Sequence, residues 1–174
     1  MTALPTSEGP PQALLTSRLA IRTRRPEDTA ALVWVFDQVV HDAHGWTGGI
    51  RPSLRDRLDA ARSESDELIV CDRASGEVLG TLVLSRRDGR TRIGVSFGPR
   101  GRGRGLAREA LAAVIPWMQA CGFPPPMIET AETNVAMRRT AESVGFVAVR
   151  GYVHRLPNGT RAPAVRYVLG SQPA

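Results

Sequence analysis

The sequence is poor in cysteine, lacks lysine and contains no long hydrophobic run. Its two cysteines, Cys71 and Cys121, occur among 174 residues with no motif that joins them. Reduced thiols in a cytoplasm are therefore expected, rather than the disulfides of a small secreted domain. No apolar run is long enough to span a membrane, and the first residues lack the basic start and long apolar centre of a secretory signal. These shortages predict a cytoplasmic protein with no membrane segment.

The amount of charge is ordinary, but basic residues outnumber the 17 acidic ones. The formal net charge is +6, and all 23 basic residues are arginines. A positive balance favours anionic partners, such as nucleic acid, a phosphate-rich cofactor or an acidic protein surface. An arginine-rich and alanine-rich composition can equally reflect the genome that encodes it, so charge alone leaves the partner open.

Apolar periodicity and turn residues predict one mixed α/β domain. Residues 1–14, rich in Pro, Ser, Thr and Gly, are expected to form a flexible leader, residues 15–170 the domain, and residues 171–174 a tail. The predicted order of elements is β, α, α, β, β, β, α, β, α, β, β. The fold class is therefore α/β of the α+β kind: a largely antiparallel, twisted sheet of about seven strands with four helices.

The first two predicted helices can be placed from their start signals. Pro26, followed by two acidic residues, predicts one helix that runs on through residue 40. Ser53 is expected to cap a second helix. The large aromatic residues expected to pack these helices on the sheet are Trp34, Phe36 and Trp46. Hairpin turns are predicted at residues 74–76, 88–89 and 157–159.

The stretch GPRGRGRGLAREALAAV, residues 98–114, places a turn rich in glycine and arginine between a predicted strand and an apolar helix. Glycine leaves backbone N–H groups accessible, and the start of a helix leaves further N–H donors without internal partners. With the helix dipole, these donors favour phosphate oxygens. The turn lacks the Gly-Lys-Ser/Thr end of a P-loop and the G-x-G-x-x-G spacing of a dinucleotide-binding turn. A disordered RNA-binding segment and a solvated loop without a ligand are the alternatives.

Three segments in order resemble the GNAT acyltransferase superfamily. R-G-R-G-L-A at 102–107 resembles its R/Q-x-x-G-x-G/A pyrophosphate motif, and ETAETNVAMRRTAESVGF at 129–146 resembles its later strand–helix segment. TSRLAIRTRRPEDTAAL at 16–32 is similar to the opening of the branch that acetylates the N-termini of ribosomal proteins. The resemblance covers residues 16–169 and implies that residues 15–170 form an acetyltransferase domain.

This resemblance implies acetyl-CoA as cosubstrate. It implies a GNAT-like sheet in which the fourth and fifth predicted strands, TRIGVSF and MIET, splay apart to admit the pantetheine arm. The backbone of Phe97 would hydrogen-bond to that arm, and Asn134 would contact it as well as cap a helix. The backbone amides that would hold the pyrophosphate are those of Arg102, Gly103, Arg104, Gly105, Leu106 and Ala107.

Catalytic residues are less clearly marked than cofactor-binding residues. Many family members place Ser three residues, or Tyr seven residues, after the helix Asn; here these positions hold Met137 and Ala141, which cannot donate a proton to sulfur. Glu129 is a candidate base and Ser96 a candidate proton donor. No metal is expected, because no further Cys, Asp or Glu cluster completes a site around the two histidines at residues 41 and 44.

The function predicted from these features is acetyl transfer from acetyl-CoA to a primary amine, by direct attack in a ternary complex. The acceptor would be a protein N-terminus or a small molecule. The alternative is a catalytically weak or inactive CoA-binding or interaction module, since positions 137 and 141 hold no proton donor. A nucleic-acid partner for the glycine–arginine turn is the less favoured reading, no membrane partner is expected, and the chain could form a homodimer.

Overall fold

The structure is a computed structural model that describes residues 13–45 and 65–170. Within them, one sheet has the strand order β1-β2-β3-β4-β5-β6-β8-β7. Every neighbouring pair is antiparallel except β5 and β6. The eight strands are β1 (Leu14–Leu15), β2 (Leu19–Thr23), β3 (Ser65–Asp72), β4 (Val78–Arg87), β5 (Arg90–Phe97), β6 (Pro126–Ala131), β7 (Phe146–Arg155) and β8 (Arg161–Leu169). The predicted mixed, largely antiparallel fold is confirmed. The sequence predicted about seven strands, and the eighth is β1, whose Leu14 pairs with Ile21 of β2.

Four α-helices lie in the described residues: α1 (Thr29–Val35), α2 (Gln38–Ala43), α3 (Leu106–Ala120) and α4 (Val135–Ser143). The prediction of one continuous helix from Pro26 to residue 40 is wrong. The helix stops at Phe36 and restarts after Asp37, whose side chain accepts a hydrogen bond from the Val40 N–H and so caps α2. The helix predicted from Ser53 falls on residues 46–64, which the structure does not describe. Trp46 belongs to the same stretch, and residues 1–12 and 171–174 also lie outside the described residues.

The two faces of the sheet are covered by different helices. One face packs against α3 and α4, so that Leu82 and Tyr167 of the sheet are buried in one core with Leu111 of α3. The other face, which includes Ile69, packs against α1 and α2. The predicted packing of Phe36 is confirmed, because this side chain is only 6% exposed. Trp34 does not pack as predicted: it is 73% exposed, because the buried stripe of α1 runs along Leu32, Val35 and Phe36.

The predicted turns form where glycine follows a short polar residue. Gly76, Gly89 and Gly159 all have positive φ angles, and Asp88 shares this backbone region. Two successive residues with positive φ at Asp88 and Gly89 are characteristic of the tight turn favoured between antiparallel strands. These local signals correctly position the hairpins β3–β4, β4–β5 and β7–β8.

Strands β5 and β6 pair only at their beginnings. Their register contains Thr91 opposite Pro126 and Arg92 opposite Met127. Beyond these pairs, β5 continues along β4 and β6 continues along β8. The two strands therefore splay as predicted. We refer to the gap between residues 93–97 and residues 128–131 as the strand fork.

Candidate functional site

A row of free backbone amides lies at the start of α3, directly after β5. The amides of Gly101 and Arg102 donate to the Gly98 carbonyl oxygen at 2.9 and 3.2 Å. Within the described part of the chain, the amides of residues 103–108 have no hydrogen-bond acceptor. We refer to residues 103–108 as the amide cradle. A helix start combined with such a turn presents several donors to one anion.

Two glycines give the amide cradle its shape. Gly103 and Gly105 have φ angles of +71° and +70°, a conformation that L side chains rarely adopt. A Cβ atom at Gly103 would meet no described atom within 4 Å, and one at Gly105 would meet only Nη2 of Arg18, at 4.0 Å. The space above these glycines is therefore not filled by described side chains. Bare backbone facing open space fits the pyrophosphate of acetyl-CoA.

The side chain of Arg102 holds the loop instead of facing the amide cradle. Its Nη1 and Nη2 donate to the two carboxylate oxygens of Asp37 at 2.9 and 2.7 Å, and its Nε donates to the Phe97 carbonyl oxygen at 2.8 Å. The hydrogen bonds from Arg102 lower the pKa of Asp37 below its ordinary value. Arg100 is likewise bound, to Glu77. These two arginines of the motif thus act within the protein.

Arg18 and Glu109 support the first turn of α3, and sequence reasoning missed this role of Arg18. Glu109 accepts hydrogen bonds from the Thr16 hydroxyl at 2.5 Å, the Ser17 hydroxyl at 3.0 Å and the Arg18 amide at 2.9 Å. Its other oxygen accepts from Nε of Arg18 at 2.6 Å. Burial of the Glu109 carboxyl opposes ionisation, but these bonds outweigh it and lower its pKa to about 2. Arg18 also donates from Nη1 to the Arg104 carbonyl oxygen at 3.0 Å.

Backbone groups of β5 point into the strand fork at every second residue. The Thr91 amide donates toward β6, to Pro125, whereas the Gly98 amide donates toward β4, to Leu79. Because N–H and C=O groups of successive residues point to opposite edges of a strand, those of Val95 and Phe97 face the fork. Ser96 points its backbone to β4 and pairs with Thr81, and its half-buried side chain lies on the opposite sheet face from Phe97.

The candidate base Glu129 lies beside the fork in an ion-pair cluster. Its Oε1 accepts from Nε and Nη2 of Arg166 at 2.9 and 2.8 Å, and its side chain is 7% exposed. Its Oε2 lies 4.0 Å from Nη1 of Arg92. Burial raises the pKa of Glu129, but Arg166, Tyr152 and Arg92 together outweigh burial, so the pKa is lowered overall. A carboxylate held in this way is a weaker base than a free one.

The segment from Asn134 onward confirms the predicted helix cap. The Asn134 side chain accepts a hydrogen bond from the Met137 amide at 3.1 Å at the start of α4. Ala141 is fully buried in the core, so position 141 contributes packing. Within the described ranges, no three His, Cys, Asp or Glu side chains come together as a metal-binding group, and no helix is both long and apolar enough to cross a membrane.

Several solved acetyltransferase structures superpose on this chain over most of its length. A ribosomal-protein-S5-alanine acetyltransferase from Vibrio fischeri superposes with a TM-score of 0.69 at 16% identity, covering 92% of this chain and 99% of that chain. An acetyltransferase from Salmonella typhimurium that modifies the N-terminal serine of a 50S ribosomal subunit protein gives 0.72 at 16%, covering 88% and 95%. Spermidine N-acetyltransferase from Vibrio cholerae, in complex with CoA and spermine, gives 0.70 at 14%, covering 88% and 97%.

Comparison with sequence families agrees with these structural similarities. No curated protein matches the chain. The family model described as an acetyltransferase (GNAT) domain matches residues 18–147, which include the strand fork's β5 side, the amide cradle and α4. With this match over most of its length, the chain belongs to the GNAT acetyltransferase family.

Proposed function

We propose that this protein is an N-acetyltransferase that moves the acetyl group of acetyl-CoA to a primary amine, by direct attack in a ternary complex. The observation that carries the proposal is the amide cradle: six consecutive free amides, shaped by Gly103 and Gly105. The cradle follows directly from β5, whose second half, residues 93–97, lines the strand fork. Family membership supports acetyl transfer as the reaction class.

The chain's own residues would hold the cosubstrate through its backbone. Acetyl-CoA supplies an acetyl thioester, whose carbonyl carbon is open to attack by a neutral amine. The amides of Gly103, Arg104, Gly105, Leu106 and Ala107 would bind the pyrophosphate, whereas the Arg102 amide is already bound to Gly98. Backbone groups of Val95 and the amide of Phe97 would hold the arm and polarise the carbonyl, whereas the Phe97 carbonyl oxygen already accepts from Nε of Arg102. Asn134 would contact the arm from the start of α4.

Proton transfer requires groups beside the strand fork. An amine is mostly protonated near neutral pH, so it must lose a proton, and the departing sulfur must gain one. We keep Glu129 and Ser96 as the candidate base and donor. Because Arg166 makes Glu129 a weaker base, we expect Glu129 to contribute little to direct removal of the amine proton. A larger contribution would require a water molecule that relays the proton.

The second candidate function is a CoA-binding module with little or no transfer activity. It is favoured by the two α4 positions that hold Met137 and Ala141 instead of a proton donor. Both functions share the amide cradle and differ only in turnover, so release of the CoA thiol with an amine panel separates them. We place either function in the cytoplasm, because Cys71 and Cys121 are both free thiols.

Calorimetric titration of CoA into matched glycine variants tests the proposal. Gly103→Ala is expected to weaken CoA binding by more than about tenfold, because the added methyl group occupies the space that a phosphate needs; this corresponds to about 1.4 kcal/mol. Gly122→Ala is the control: Gly122 also has a φ of +71° and open space around it, but it lies at the far end of α3.

The control variant should therefore carry the same backbone strain and keep wild-type affinity for CoA. Equal affinity of the wild-type protein and a folded Gly103→Ala variant would contradict the cradle assignment. A protein that ignores CoA but binds RNA in a salt-sensitive way would instead support a nucleic-acid function for the loop.

A further inference from the structure

One positive charge is in excess where β5 and β6 separate. Arg92 on β5, Glu129 on β6 and Arg166 on β8 lie on the same sheet face. Arg166 uses both Nε and Nη2 on a single oxygen of Glu129, at 2.9 and 2.8 Å. Arg92 lies 4.0 Å from the other oxygen, beyond hydrogen-bond distance. Two guanidinium groups thus share one carboxylate.

The arginines, and not the carboxylate, are accessible in this cluster. The Arg92 side chain is 42% exposed and that of Arg166 29%, whereas that of Glu129 is 7% exposed. Within residues 13–45 and 65–170, the one hydrogen bond of the Arg92 side chain is a long one, from Nε to the Ser85 hydroxyl at 3.5 Å. Because a guanidinium carries five N–H donors, Arg92 keeps most of them available. Arg166 is fixed from one side by the ring of Tyr152, 5.8 Å from its Cζ atom.

The other charged pairs on the described part of this face each join one arginine to one carboxylate and so do not offset the excess; Arg22 and Asp28 lie 2.7 Å apart. Arg24 and Glu67 lie 3.2 Å apart, and their side chains are 10% and 13% exposed. Thr81 and Ser96, which pair across β4 and β5, are neutral. Among the described residues, this face of the sheet therefore carries a net positive charge beside the start of the fork, where an acceptor would meet it.

We infer that the acceptor amine carries an anionic group, of the carboxylate type, a few bonds from its nitrogen, and that Arg92, assisted by Arg166, binds this group. The inference rests on the proposed function and names its substrate class. A planar guanidinium matches a carboxylate with two parallel hydrogen bonds. A polycationic amine would be repelled by the same charge. Free amino acids and peptides beginning with Asp or Glu share the required chemistry.

Matched acceptor pairs test this inference in the full-length protein. The pairs are glycine with glycinamide, phenylalanine with phenylalaninamide, and peptides that begin with Asp or with Asn; putrescine serves as a dication. Release of the CoA thiol gives kcat/KM for each acceptor. Calorimetry with N-acetylglycine and N-acetylglycinamide on the CoA-bound protein gives a readout that does not depend on turnover.

We expect the carboxylate member of a pair to be favoured by about tenfold or more, as for one charge-assisted contact. Arg92→Gln should remove this preference in both kcat/KM and binding. The control is Arg87→Gln, which makes the same charge change at a side chain that is 57% exposed near the β4–β5 turn. It should keep the preference. A higher kcat/KM for free amino acids than for Asp peptides would identify the α-carboxylate as the group that is bound, and the reverse order would identify the side-chain carboxylate.

The inference is overturned if amides or putrescine are accepted equally well, or if Arg92→Gln leaves the preference intact. It is also overturned if the protein binds CoA but neither acetylates nor binds any carboxylate compound in the panel. Failure to bind CoA at all contradicts the proposed function itself, and so the two failures are distinguishable.

Discussion

At the scale of single residues, Glu109 joins the first turn of α3 to the β1–β2 connection. Its carboxylate accepts from Thr16, Ser17 and Arg18, which lie more than ninety positions away in the sequence. This arrangement stabilises the helix whose N-terminus forms the amide cradle. An ionised carboxylate in the first helical turn also interacts favourably with the helix dipole.

We predict that Glu109→Gln lowers the free energy of unfolding by about 1–3 kcal/mol at pH 7, because the hydrogen bonds to a charged acceptor are weakened. The folded-state pKa of about 2 lies below the ordinary value of 4.5, so the contribution of Glu109 is present above pH 4.5 and is lost as pH falls toward 2. Urea denaturation at pH 7 and pH 3 measures it. The stability difference between wild type and variant should shrink at the lower pH.

The matched control for Glu109 is Glu77→Gln. The Glu77 side chain is 39% exposed and pairs with exposed Arg100, so its loss should change stability by less than about 1 kcal/mol. A Glu109→Gln protein as stable as the Glu77→Gln protein at pH 7 would contradict the anchoring role of Glu109.

At the scale of elements, the ion pair between Asp37 and Arg102 joins the start of α2 to the loop before the amide cradle. Arg102 is therefore a positioning residue in this account. We predict that Asp37→Asn and Arg102→Gln weaken CoA binding to the same small extent, and that the double variant is no weaker than either single one. Asn still caps α2, so the helix is retained.

Calorimetry on these three variants distinguishes positioning from direct phosphate contact. If Arg102 bound phosphate directly, Arg102→Gln would lose much more CoA affinity than Asp37→Asn, and the loss would depend strongly on salt. Rescue of the loop by Arg102→Lys should be incomplete, because lysine cannot donate to both carboxylate oxygens and the Phe97 carbonyl in the same planar geometry.

The elements that depend on local signals were predictable, and those that depend on distant partners were not. The turns at Gly76 and Gly89, the end of α3 at Gly122 and the Asn134 cap follow from residue type and backbone conformation. The break between α1 and α2 combines a local cap, in which Asp37 accepts from the Val40 amide, with an ion pair between Asp37 and Arg102, 65 positions away. No periodicity in the helix could show it.

The same distinction applies to the site. The amide cradle could be predicted because glycine spacing and a helix start act over a few residues. The cluster of Arg92, Glu129 and Arg166 could not, because it is assembled from three strands that meet only in the folded sheet. Its signal in the sequence is limited to charged residues inside predicted strands, a pattern that has no unique partner.

At the scale of the whole molecule, the strand fork and the amide cradle lie one after the other at the end of β5. Pairing of β5 with β4 and of β6 with β8 opens the gap, and the loop that ends β5 carries the amide cradle. Arg92 and Arg166 lie on the face that we propose receives the acceptor. Because the chain has no lysine, acetylation of lysine side chains in the protein itself will not add to the acetyl transfer measured for an acceptor.

The most direct test of the central claim is an ¹⁵N–¹H correlation spectrum of the protein titrated with CoA. Amides without protein acceptors should shift most when they gain an anionic one, so the account predicts the largest changes at residues 103–108, with further changes at Val95 and Phe97. Saturable CoA binding that leaves the amides of residues 103–108 unshifted would contradict the account, as would the absence of any shift.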